Sequence, residues 1–219
     1  MRTKRSVDAR AIATIAAGYL AGLAAYPLLP GPFLQEKPAA RALVAFTLPT
    51  TALVVYTLFR SLWRHDRVRS GNGLFESTYH AIVLWVVLFV VSLHALVMVE
   101  LTAAASAIGI QLSGGRIVIV LLGLVMVAIG NLLPRTRPNV AVGLRTRRTL
   151  ADPQLWQQVH RSGGYVTVLF GLVIAVAGVV LAHNVAGAVV SAAGAVAVAF
   201  IVLFYRRHAA AMPQQNPRG

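Results

Sequence analysis

The side chains able to do chemistry in this 219-residue sequence are few and gathered in two places. His94 and Glu100 lie inside a long apolar stretch, and ionisable groups at membrane depth are costly enough to count as functional hypotheses. Six residues of helix turn one of them about 120° from the other, so they are not a stacked i, i+4 pair. They are read either as an interfacial Glu100 and a hydrogen-bonded packing His94 or as an intramembrane polar site, with His80 near the start of the same stretch. The second concentration is basic. Arg145, Arg147 and Arg148 stand among Thr146 and Thr149, a set of donors suited to a phosphate, a lipid head group or a carboxylate on a partner protein. Catalytic patterns are missing: no paired carboxylates, no nucleophile beside a base, no HExxH spacing. With no Cys there is no thiolate chemistry and no disulfide. Gly71, Gly73 and the Gly114-Gly115 pair read as turns, because no phosphate-loop lysine accompanies them. No catalytic residue, metal site or cofactor is expected.

The elements that position these groups follow from composition. The chain is 58% hydrophobic and 12% charged, with a mean hydropathy of +0.72, which excludes an ordinary soluble globule. Six apolar stretches are long enough to cross a bilayer as helices: 11–30, 42–59, 79–101, 117–133, 164–182 and 185–205. The first is longer than the apolar region of a cleaved signal peptide and is read as a retained helix. The expected fold is all-α, an integral membrane helical bundle forming one domain over 1–219.

Formal net charge is +14, and its placement orients the bundle. With the N-terminus inside, Arg2, Lys4, Arg5, Arg10, Arg60, Arg64, Arg67, Arg69, Arg135, Arg137, Arg145, Arg147, Arg148, Arg161, Arg206, Arg207 and Arg218 fall on the inner side. Lys37, Arg41 and Arg116 fall outside. Seventeen against three is a strong positive-inside pattern, so both termini are expected in the cytoplasm. The basicity is accounted for by topology and attraction to anionic lipid, and nucleic acid is not an expected partner. Trp63, Tyr79, Tyr165 and Tyr205 fall near the inner ends as interface anchors. Gly18 with Gly22, Gly171 with Ala175 and Gly187 with Ser191 form small-xxx-small pairs that let helices approach. Pro49 is placed to kink the second span. Only His183 and Asn184 join the last two spans, which implies an antiparallel hairpin.

The segment 130–164 between the fourth and fifth spans is the most informative. Pro134 ends the fourth helix, and Arg135, Arg137, Pro138 and Asn139 make a basic turn. Asp152 caps a short helix, with Pro153 at its first position. From Pro153 to Arg161, Leu155, Trp156 and Val159 share one face, which predicts a separate amphipathic helix on the inner membrane surface or the bundle, anchored by Trp156. His160, four residues later, can stack on that ring.

The run Gly130-Asn131, Pro134, Arg137-Pro138-Asn139, Gly143-Leu144-Arg145-Thr146, Thr149-Leu150, Trp156 and His160-Arg161 resembles the signature of the SdpI family of bacterial membrane proteins. That pattern is of the kind GNxLPxxxPNxxxGIRTxWTL followed by Trp and then His or Asn with Arg. It covers about 32 residues and the two spans after them; the first two spans, with their Pro-rich connection between Pro27 and Pro38, are weakly similar to the region that often precedes it. Arg148 departs from it, since members commonly carry Trp there. The resemblance implies a polytopic protein of the bacterial cytoplasmic membrane with an immunity or signal-transduction role. Its partners would be the lipid bilayer, a secreted peptide and a cytoplasmic regulator. The loop residues Asn131, Pro134, Arg137, Pro138, Asn139, Gly143, Arg145, Thr146, Trp156, His160 and Arg161 would then form the recognition surface. The alternative reading is a small transporter or lipid-handling protein, with the arginines on anionic head groups and His94 and Glu100 lining a path.

Overall fold

The computed structural model describes residues 2–29, 37–70, 76–106 and 113–211. Gly71, Gly73, most of the connection between Pro27 and Pro38, and Arg218 lie outside these, as do the side chains of Arg2, Lys4, Arg5, Arg67 and Arg69. The described residues form helices α1 (Arg2–Ala25), α2 (Pro38–Ser70), α3 (Glu76–Ser106), α4 (Gly114–Leu132), α5 (Arg147–Ala151), α6 (Pro153–Val180) and α7 (His183–Ala211). Short 3-10 turns follow α1 at Tyr26–Leu28 and α4 at Leu133–Arg135. All except α5 are long and apolar enough to cross a membrane. The chain is a multi-pass membrane protein.

Several helices outrun their apolar stretches. Lipid solvates only the middle of a spanning helix, but nothing in RSLWRHDRVRS stops the helical pattern, and α2 continues past Phe59 to Ser70. Gly114 and Gly115 do not form a turn; they open α4. The carboxylate of Glu100 lies against Gly114, where the free N–H groups of a first helical turn favour an anion.

α1, α2 and α3 pack together. Gly18 faces the Pro49 ring and Val91, and Gly22 faces Ala45 and His94, so this GxxxG seats two neighbours. Pro49 sits inside α2 without ending it. The most extensive helix pair is α4 with α6. A Cβ at Gly123 would come within 2.5 Å of the Gly171 carbonyl oxygen and the Ala175 amide nitrogen. Gly171 and Ala175 are thus a genuine seam, matched from the other side by Gly123. Gly187 and Ser191 are not. Gly187 has no neighbour within 4 Å of a built Cβ, and Ser191 Oγ donates to the Gly187 carbonyl of its own helix. The tight link at Leu181 and Ala182 returns α7 antiparallel to α6, but α7 meets it through residues such as Gly194, next to Phe170.

Two of the expected interface anchors are instead core residues. Trp63 is 4% exposed and Tyr79 1%. Their rings pack at 4.8 Å, and Tyr79 donates to the Phe59 carbonyl at 2.6 Å. Tyr165 is exposed.

Candidate functional site

The 136–160 loop is built by short polar residues that replace secondary structure. Asn139 is the hub: its Oδ1 accepts from the amides of Ala141 (2.9 Å) and Val142 (2.7 Å), and its Nδ2 donates to the carbonyls of Arg137 (2.7 Å) and Val142 (3.1 Å). All four hydrogen-bonding positions of one side chain are used, which closes the turn after Pro138. Thr146 and Thr149 make a reciprocal cap on α5: the Thr149 amide donates to Thr146 Oγ1, and the Thr146 amide to Thr149 Oγ1. Thr149 Oγ1 also donates to the Leu144 carbonyl at 2.8 Å.

The start at Asp152 and Pro153 forms as expected, with Asp152 Oδ1 accepting from Gln154 and Leu155. The helix that follows is not separate. It runs unbroken through Gly163 and Gly164 into the fifth span as one 28-residue α6. A double glycine lowers helix propensity, but packing overrides it, because Gly164 lies against the Gly130 carbonyl and the Pro134 ring, where a side chain has no room.

Trp156 is likewise not a membrane anchor, being 1% exposed. Its Nε1 donates to Thr136 Oγ1 at 3.3 Å, and His160 stacks on it with centroids 3.9 Å apart and planes 14° from parallel. His160 then clasps the loop. Its Nε2 accepts from the Leu144 amide at 3.0 Å, and its Nδ1 lies 2.8 Å from the Trp156 carbonyl. An amide only donates and a carbonyl only accepts, so the ring is neutral with its proton on Nδ1. Gly143, at φ 102°, brings the chain directly over His160 Nε2, where a Cβ would collide.

The signature residues therefore divide in two. Asn139, Trp156 and His160 are buried, along with Thr136 and Thr149, while Pro134, Pro138 and Thr146 are half-buried; these hold the loop. Asn131, Arg137, Arg145 and Arg161 are exposed, together with Arg135, Arg147 and Arg148. Gly143 is exposed as well but serves the clasp. Arg145 donates back to the Val140 carbonyl, which fixes its stem over the loop. The result is a hydrogen-bonded loop that carries six exposed arginines.

His94 and Glu100 are not brought together. His94 is fully buried where α3 meets α1 and α2, whereas Glu100 sits at the start of α4. A cluster that sequence reasoning missed lies at the loop end of the bundle. Arg60 Nη1 donates to Tyr56 Oη at 2.9 Å and to Asp8 Oδ2 at 3.4 Å. His80 Nδ1 lies 3.4 Å from Asp8 Oδ1, and Glu76 is one helical turn from His80. The usable signal was that acids are scarce, six in all, and that Asp8 and Glu76 both flank spans. The loop touches this end, since Val142 joins the core of Ala11, Tyr56, Trp63 and Tyr79. Among the described residues no group of three or more His, Cys, Asp or Glu is arranged to hold a metal.

A helical membrane bundle carrying one structured, arginine-rimmed loop is a membrane protein whose distinctive part is that loop. Residues 135–205, from the loop through most of the last hairpin, match the SdpI/YfhL protein family. It is similar to "Immunity protein SdpI" of Bacillus subtilis (strain 168), at 26% identity over 144 residues, 64% of each chain. It is also similar to "Uncharacterized protein YfhL" of the same organism, at 40% identity over 53 residues, 24% of this chain and 48% of that one. The matches thus span less than two thirds of either relative. No solved structure matches.

Proposed function

We propose that the chain is a non-enzymatic immunity protein of the bacterial cytoplasmic membrane, protecting its cell from a secreted peptide and engaging a cytoplasmic regulator through the arginine rim of the 130–164 loop. Both termini and the loop face the cytoplasm in this reading, in line with the seventeen-to-three distribution of basic residues. The observation that carries it is the division of the signature: buried members spend their polar groups on one another, leaving exposed arginines with guanidinium donors for a partner. The similarity to an immunity protein of B. subtilis supports the immunity role.

The test is a deletion strain challenged with peptides secreted by its own and neighbouring strains. Deletion is expected to sensitise the cell to at least one of them, with full rescue by the intact gene. If deletion and parent strains grow alike under every challenge, the immunity reading fails.

A further inference from the structure

His94 is 0% exposed and lies in the middle of α3, far from either aqueous face. A Cβ built on Gly22 of α1 would lie 3.3 Å from His94 Nε2 and would collide with the Ala45 carbonyl oxygen of α2, so ring, glycine and carbonyl meet at one point. That carbonyl is unusual. Ala45 is four residues before Pro49, the position whose N–H would close the helical hydrogen bond, and proline has none to give. An acceptor stripped of its helical donor thus faces an imidazole inside the apolar layer.

The imidazole is short of a partner too. The Gly18 carbonyl accepts a loose hydrogen bond from the ring N–H, and the other ring nitrogen has no partner. A neutral imidazole requires an acceptor for its N–H and a donor for its lone pair. The carbonyls of Gly18 and Ala45 are acceptors at the site, and the Tyr19 and Thr50 hydroxyls, one residue along from Gly18 and Pro49, pair with each other at 2.9 Å. The carboxylate of Glu100 lies against Gly114, Arg41 donates to the Leu29 carbonyl, and Asp8 and Arg60 pair at the loop end. A buried polar group left without a partner destabilises the fold.

We propose that Gly22, Ala45 and His94 bind one internal water, which donates one hydrogen to the unprotonated His94 nitrogen and the other to the Ala45 carbonyl. Water supplies the two donors that this nitrogen and this carbonyl lack. Pro49 is then the residue that creates the site, by freeing the carbonyl, and α2 carries there an exchangeable bond in place of a fixed one. The proposal is independent of the loop.

Water-to-protein polarisation transfer, read on the 15N-labelled His94 ring in lipid bilayers, tests it directly, with the His94→Leu spectrum identifying the signal. The intact protein is expected to show transfer to a neutral His94 ring. Pro49→Ala restores the amide donor to Ala45 and is expected to lose most of that transfer. His94→Leu, which removes the need for water, is expected to leave the melting temperature unchanged or raised. Absence of transfer in the intact protein overturns the proposal, as does undiminished transfer in Pro49→Ala or a large fall in melting temperature for His94→Leu.

Discussion

At the scale of single residues, the loop depends on a column of four: Gly143 over His160, His160 over Trp156, and Trp156 bonded to Thr136. Trp156→Ala removes the middle of this column, and emptying a buried indole site costs about 3–5 kcal/mol. Trp156→Phe keeps a ring under His160 but leaves Thr136 without the indole donor, a loss of about 1 kcal/mol. Limited proteolysis in detergent is expected to show cleavage within 136–150 for the alanine variant and near-intact protein for the phenylalanine one. Gly143→Ala should resemble the alanine variant, because its methyl would strike His160 in a backbone conformation that already disfavours a side chain. The i, i+4 spacing of Trp156 and His160 revealed their stacking in advance. It did not reveal what covers Trp156, because an apolar helix face looks the same whether lipid or protein lies against it.

At the scale of elements, α4 and α6 are held by glycines that let backbone touch backbone. Gly123→Leu must push the helices apart, and such overpacking costs about 1–3 kcal/mol or more. A lowered melting temperature by thermal shift in detergent is the expected reading, whereas Gly187→Leu, on the open face of α7, should leave it unchanged. The six spans were legible because twenty apolar residues carry a signal that tertiary contacts cannot mask. Helix ends were not. α6 begins at Pro153 rather than Gly164, since hydropathy marks where lipid begins while capping by Asp152 marks where the helix begins. The small pair Gly187 and Ser191 misled for a related reason: spacing shows that a close approach is permitted, and only packing shows whether a neighbour takes it.

At the scale of the whole molecule, the first three spans meet the last three where α3 packs on α4 and where Val142 of the loop enters the core beneath α1, α2 and α3. The Asp8, Arg60 and His80 cluster sits at that same end. It was illegible in the sequence because its members come from three helices more than fifty residues apart at the extremes. Orientation can be tested on the native Cys-free background: a cysteine replacing the exposed Gln157 is expected to react with an impermeant maleimide only after the cell is opened. The central claim is that the arginine rim acts and the buried signature residues support it. The most direct measurement is survival of a deletion strain under peptide challenge when it carries Arg145→Ala, Arg147→Ala and Arg148→Ala together, with membrane level and melting temperature matched to the intact protein. Loss of protection at unchanged stability is the predicted result, and full protection would contradict the account.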